Sequence, residues 1–161
     1  MEYLEPTNVV FAFPPPLGPR TMIKPLPSCE AVTIPRHVPA RNVELLLTAG
    51  TFEEEGVFEA EDAGPAERAR TDFTIAVQAL AARPGSEGGG GAGQLRGNDL
   101  WRAGALASVE GAVRLADGRG PSKSGVLAPA EAFAAGPFLH TLQELGAFTV
   151  TLPPPAHDQE R

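Results

Sequence analysis

The sequence predicts an α+β fold: a mainly antiparallel or mixed sheet with two principal helices toward the C-terminus. Three observations lead there. Asp72–Leu80 alternates with a period of two, Phe73, Ile75, Val77 and Ala79 falling on one face and Thr74, Ala76 and Gln78 on the other. Asn98 or Asp99 can cap a helix running to about Ala116, with Gly118 as its stop. Strand candidates come in a run and the helices follow, the order of an α+β architecture.

The elements read in order as follows. Phe13-Pro14-Pro15-Pro16-Leu17-Gly18-Pro19 is too rich in proline for helix or central strand, and reads as an extended surface segment. Three short strands are predicted next. Thr21–Leu26 is cut by Pro25, Glu30–Ile34 is ended by Pro35, and Asn42–Thr48 is ended by Gly50. Thr51-Phe52-Glu53-Glu54 fits a capping box for a short helix that Gly56 interrupts. Ala60–Arg70 reads as loop. After the Asp72–Leu80 strand, residues 83–93 are glycine-rich and predicted to be a flexible loop, with a short strand at Gln94–Arg96.

In the long helix, Arg102, Leu106, Val109, Val113 and Ala116 follow helical spacing, and the apolar members are expected to face a core. Gly104, Ser108 and Gly111 form a small-residue stripe on another side. Pro129 is placed to open a second helix, which Gly136-Pro137 breaks. A further helical piece carries Phe138, Leu142 and Leu145 on one face and stops at Gly146. Phe148, Val150 and Leu152 alternate with threonines in a last strand. Pro153-Pro154-Pro155 ends it, and residues 153–161 are expected to be a disordered tail.

Composition bounds the function. A chain of 161 residues fits one domain, here residues 1–152. Gly and Pro supply 18 and 17 residues, which points to long loops and short elements. The net charge of −7 makes nucleic acid an unfavourable partner. No apolar run approaches the length of a membrane span. Met1-Glu2-Tyr3-Leu4-Glu5-Pro6 lacks the basic start of a signal peptide, so a cytoplasmic location is expected. Cys29 is the single cysteine, beside Glu30, a neighbour that disfavours the thiolate. It implies neither an internal disulfide nor a cysteine-based metal site.

Few residues stand out as chemistry. Gly88, Gly90 and Gly93 match G-x-G-x-x-G, but no strand leads straight into them and no helix follows at once, as a pyrophosphate loop requires. His37, His140 and His157 show no metal-ligand spacing. His140 reads as a surface or interface residue. The Arg36-His37 pair between Pro35 and Pro39 has two readings. Held extended, it could present charge to an acidic substrate or a cofactor phosphate. The favoured reading is a strand-end pair that packs and caps locally. Ser122-Lys123-Ser124 reads as loop, and the acids from Glu53 to Asp62 as a solvated face.

Several stretches, in order, resemble the C-terminal part of saccharopine dehydrogenase-like NAD(P)-dependent oxidoreductases. They are Phe13–Gly18 with Arg20; Glu30–Val38 with Arg41-Asn42-Val43; Gly97-Asn98-Asp99-Leu100-Trp101 with Val109–Ala112; and Gly125–Phe133 with Phe138-Leu139 and Leu142. They are spread over most of the chain, from Phe13 to Leu142. The resemblance implies a substrate and dimerisation domain whose Rossmann half is supplied in cis or in trans, with a homodimer as a further possibility. Arg36, His37, Asn98, Asp99 and Trp101 become its substrate-facing candidates. The resemblance names no catalytic residue here, no cofactor-binding residue and no metal ligand. NAD(P) belongs to the full-length family, because hydride transfer needs the nicotinamide held against substrate by the other half. The chain alone is then not catalytic, whether it is a fragment, a truncated gene product or a subunit of a split enzyme. An exposed apolar docking surface is expected around Phe138, Leu142 and Val150. The alternative is a non-enzymatic binding or scaffold module. A small hydrolase ranks last, for want of a convergent polar pocket.

Overall fold

The computed structural model describes residues 7–24, 28–50, 64–80 and 90–152. The fold is α+β, with two three-stranded antiparallel sheets and helices. The chain divides into two compact units, Met1–Ala63 with Lys123–Ala132, and Gly64–Ser122 with Phe133–Arg161.

In the first unit, β1 (Thr7–Ala12) pairs antiparallel with β2 (Pro19–Lys24), from Thr7↔Lys24 to Ala12↔Pro19. The proline-rich segment between them is the turn of this hairpin. The Phe13 N–H donates to the Gly18 carbonyl at 3.1 Å, and Gly18 takes a left-handed φ of 64°. β3 (Leu47–Thr48) adds to β2, so the expected strand from Asn42 shortens to its last two residues. Met22 is the buried apolar residue of this sheet.

Glu30–Ile34, expected as a strand, is instead helical. Glu30–Thr33 is one turn of α-helix, α1, and Ile34–Arg36 continues it as a 3₁₀ turn. The Cys29 carbonyl accepts from both the Val32 and Thr33 N–H groups. Pro35 sits at the start of the 3₁₀ turn, where its missing donor is not needed. The β-branched residues Val32, Thr33 and Ile34 favour strand only where a neighbouring strand exists to pair with them.

In the second unit, α2 (Pro65–Arg68) is a single turn within the stretch expected to be loop. It precedes β4 (Asp72–Leu80), which pairs antiparallel with β5 (Gly90–Asn98) along its whole length. The loop expected at 83–93 is therefore corrected at its end. Gly90–Gly93 are strand, because the ladder to β4 supplies the backbone hydrogen bonds that glycines need no side chain to make. Residues 83–89 lie outside the described residues. So do the capping box at 51–54, the acids from Glu53 to Asp62, His157 and the 153–161 tail.

α3 (Leu100–Ala116) follows β5 directly. Its C′ residue is Gly118 at φ 83°. α4 (Pro129–Ala132), in the first unit, opens on its proline as expected. α5 (Ala135–Glu144) takes in the Gly136-Pro137 pair, since a proline in the first turn lacks only an N–H that has no partner there. α5 ends in a Schellman motif: Gly146 N–H to Gln143 C=O at 3.0 Å, and Ala147 N–H to Leu142 C=O at 2.9 Å. β6 (Thr149–Thr151) then closes on β5, giving the sheet order β4-β5-β6.

The core of this unit is Ala103, Leu142 and Ala147, with Phe73, Leu106, Ala107, Phe138 and Phe148 packed against it. Leu142 and Phe138 are thus core rather than docking surface, and Val150 is half-buried in the sheet. The arc of α3 that faces inward also differs from expectation. Val109 and Val113 are 61% and 45% exposed, while Glu110 is half-buried and Gly111 and Arg114 are buried. Gly111 lies 3.5 Å under the Phe133 ring by the position its Cβ would take, so the small-residue stripe serves close approach there. Gly104 faces open space.

Candidate functional site

The junction of β5 with α3 is built around Asp99. Its backbone is left-handed, at φ 54°, a conformation uncommon outside glycine but tolerated by aspartate. That bend turns the chain from strand into helix within one residue. The Asp99 N–H donates to the Thr71 carbonyl at 3.0 Å, and its Oδ1 accepts the Arg102 N–H at 3.0 Å as the helix N-cap. Oδ2 faces Arg68 Nε at 3.7 Å. Asp99 is buried, so its carboxylate is held among partners rather than offered to solvent.

Around this junction lies an open cleft of about 660 Å³. Arg96, Asn98, Asp99, Arg102, Gln143 and Thr149 supply its polar lining. Most of these groups hold the structure itself. Asn98 Nδ2 donates to Asp72 Oδ1 across the strand pair. Arg102 reaches the end of α5, with Nη1 on the Gly146 carbonyl at 2.8 Å and Nη2 on the Leu145 carbonyl at 3.3 Å. A cation there complements the negative end of that helix. Gln143 Oε1 accepts the Val150 N–H at 2.8 Å. Arg96 differs: it is exposed on the polar side of the sheet, beside Thr74 and Thr149, and bonds to none of the described residues. The cleft therefore offers one uncommitted guanidinium framed by committed polar groups, an arrangement suited to holding an anionic or polar ligand.

The five expected site residues divide between the two units. Asn98 and Asp99 line the cleft, as do Arg96, Arg102, Gln143 and Thr149, for which the sequence carries no signal beyond residue type. Trp101 does not line it. It stands 71% exposed on the outward side of α3, one turn before Ala105 and two before Val109.

Arg36 and His37 belong to the first unit, where both are engaged locally. Arg36 Nε pairs with Glu131 Oε2 at 3.0 Å, and its Nη2 donates to the Val126 carbonyl at 3.2 Å. The same Glu131 oxygen accepts the Ala128 N–H at 2.8 Å, capping α4. That backbone hydrogen bond, and then Arg36, hold the Glu131 carboxyl below the usual carboxylate range. His37 Nδ1 lies 3.0 Å from the Thr33 carbonyl. The pair is not held extended at a strand end: Arg36 closes the 3₁₀ turn and His37 follows it as the C-cap.

Elsewhere, the Cys29 thiol is exposed. It stands 3.5 Å from the carboxylate of Glu30. His140 pairs with Glu144 one turn along α5, both exposed. Among the described residues no three His, Cys, Asp or Glu side chains gather as metal ligands, and no helix is long and apolar enough to cross a membrane. No family model, curated protein or solved structure matches the chain.

Proposed function

We propose that this chain is the substrate and dimerisation domain of a saccharopine dehydrogenase-like NAD(P)-dependent oxidoreductase, cytoplasmic and catalytic only together with a Rossmann domain supplied in cis or in trans. The observation that supports this reading is the polarity of α3. Its charged residues beyond the first turn, Glu110 and Arg114, point inward and pair at 2.6 Å. Its outward arc carries Trp101, Ala105, Val109, Ala112, Val113 and Ala116, all exposed. A helix apolar on both sides belongs inside a larger assembly. At its N-terminus the same helix walls the polar cleft, so a nucleotide-binding domain seated on α3 would bring its cofactor close to that cleft.

The cleft suits a positioning role. Asp99, Asn98, Arg102 and Gln143 are bound to their own fold, leaving Arg96 to meet an anionic substrate group. A non-enzymatic binding module is the second reading, favoured by one fact: Arg36 and His37 are engaged by their own unit.

The test is calorimetry with NADH and NADPH, on the chain alone and mixed with a candidate Rossmann-domain partner. Binding only in the mixture, lost with Val109→Asp, supports the proposal. Cofactor binding by the chain alone would contradict it. No binding in either case favours the binding-module reading.

A further inference from the structure

We infer that the row Thr74, Arg96, Thr149 across the second unit's sheet binds a phosphate monoester, the group by which the cleft holds its substrate. The inference rests on the reading above for the cleft being a substrate site. It adds the chemical class of the ligand and the two hydroxyls that select it.

Register puts the three residues in one line. Thr74 is the partner of Arg96 across β4 and β5, and Thr149 is its partner across β5 and β6. Directly opposed residues of an antiparallel sheet share a face, with Cβ atoms about 4.5–5.5 Å apart. The phase of the ladder tightens one side. The Asp99 N–H donates to the Thr71 carbonyl, which makes Thr71 and Asp99 a hydrogen-bonded pair. Three steps along, Thr74 and Arg96 are a non-hydrogen-bonded pair, the kind that brings side chains closer. Arg96 therefore has a hydroxyl on either hand. Among the described residues no partner engages its guanidinium or either hydroxyl. Asp72 and Asn98, the next pair along this face, bond to each other instead.

The charge balance here runs against that of the chain. The net charge overall is −7. Around the cleft, Arg68, Arg96 and Arg102 stand against Asp72 and Asp99. Asp99 faces Arg68, and Arg102 spends its donors on the uncharged Leu145 and Gly146 carbonyls. One guanidinium more than carboxylate remains, and a local excess of this sign draws an anion.

The donor set selects which anion. A carboxylate has two oxygens, and a guanidinium fork meets both in one plane. A hydroxyl on each flank of that fork is matched by an anion with more oxygens, arranged around a tetrahedron. A phosphate monoester presents three terminal oxygens, and close to two negative charges above its second pKa of about 6. Its fourth oxygen carries the rest of the ligand. Arg96 and Thr149 line the cleft of about 660 Å³, which leaves room for a small molecule beside Ala69, Gln143 and Phe148.

Titrating the intact chain with glycerol 3-phosphate at pH 7.5 and constant ionic strength, followed by amide NMR, tests this. Succinate serves as the dicarboxylate dianion for comparison. The Thr74, Arg96 and Thr149 amides should shift saturably, and glycerol 3-phosphate should bind about tenfold tighter than succinate. Thr74→Val and Thr149→Val keep shape and strand preference. Each should weaken glycerol 3-phosphate about three- to tenfold and leave succinate unchanged. Arg96→Lys keeps the charge but loses the fork, and should weaken it about tenfold. Arg20→Gln, at an exposed arginine of the first unit, should change neither ligand. NADPH carries the same group on its ribose and should not displace glycerol 3-phosphate from the chain alone. Displacement would assign the row to the cofactor and overturn the inference. So would the absence of saturable binding, equal affinity for succinate, threonine variants that bind as the parent does, or an equal loss with Arg20→Gln. No Rossmann partner enters these titrations, so their failure overturns the phosphate assignment and leaves the cofactor calorimetry to decide the oxidoreductase reading.

Discussion

Substituting Gly97 by alanine tests the packing that holds the cleft in shape. A Cβ on Gly97 would lie 2.7 Å from the Ala147 carbonyl oxygen and 2.9 and 3.0 Å from two carbons of the Phe73 ring. Ordinary contact begins at 3.4 Å. Neither neighbour can retreat freely. Ala147 is 1% exposed and its N–H completes the Schellman motif of α5, while Phe73 packs against the core. Overpacking of this kind costs about 1–3 kcal/mol. The lower entropy of the unfolded alanine chain returns about 0.4–1 kcal/mol. Gly97→Ala should therefore destabilise by about 1–2 kcal/mol.

Gly91, six residues earlier on the same strand, is the control. Nothing lies within 4 Å of its Cβ position and its φ is not left-handed. Gly91→Ala should be neutral or stabilising by up to about 1 kcal/mol. The assay is urea unfolding followed by fluorescence of Trp101, the sole tryptophan, which reports on the second unit. With m near 1–2 kcal/mol/M, the two midpoints should differ by about 1 M or more. Equal midpoints would refute the close approach of β5 to the α5–β6 corner.

Arg114→Ala should cost about 3 kcal/mol by the same assay, because it leaves Glu110 in a largely buried site with only the longer 3.7 Å pairing to the exposed Arg119. Arg114→Lys should not rescue it, since one ammonium cannot replace a guanidinium that pairs Glu110, donates to Thr141 Oγ1 at 2.9 Å and stacks 4.9 Å from the Phe138 ring centre. Glu131 should make the first unit acid-sensitive. Its carboxyl titrates below its ordinary value of 4.5 in the folded state, so its contribution is full above that value and is lost as pH falls through the lowered one. Circular dichroism on acidification should show Glu131→Gln lacking that part of the loss; an unchanged acid profile would refute the cap.

Much of the fold was legible because it rests on local rules. The alternation of Phe73, Ile75 and Val77 marks β4, Asp99 caps α3, and Gly118 and Gly146 end α3 and α5 in left-handed backbone. The candidate site was legible only at Asn98 and Asp99, which sit at that cap. Its remaining lining comes from α2, β5, α3, α5, β6 and the turns beside them, and no spacing in the sequence links Arg96 to Gln143 or Thr149.

Where the chain bends, caps and alternates depends on neighbours a few residues away, and is therefore readable along its length. The rest depends on contacts between residues far apart in the chain. α3 is apolar on both sides, so its periodicity could not say which arc turns inward; the aromatic rings of Phe133 and Phe138 settled it by packing against Gly111 and Arg114. Glu30–Ile34 became helical, and among the described residues no strand lies beside it to complete the hydrogen bonds of an extended segment. Gly90–Gly93 became strand because β4 does lie beside them. In each case the deciding partner is distant in sequence, and hydrogen bonding and burial are satisfied by whatever the fold brings near.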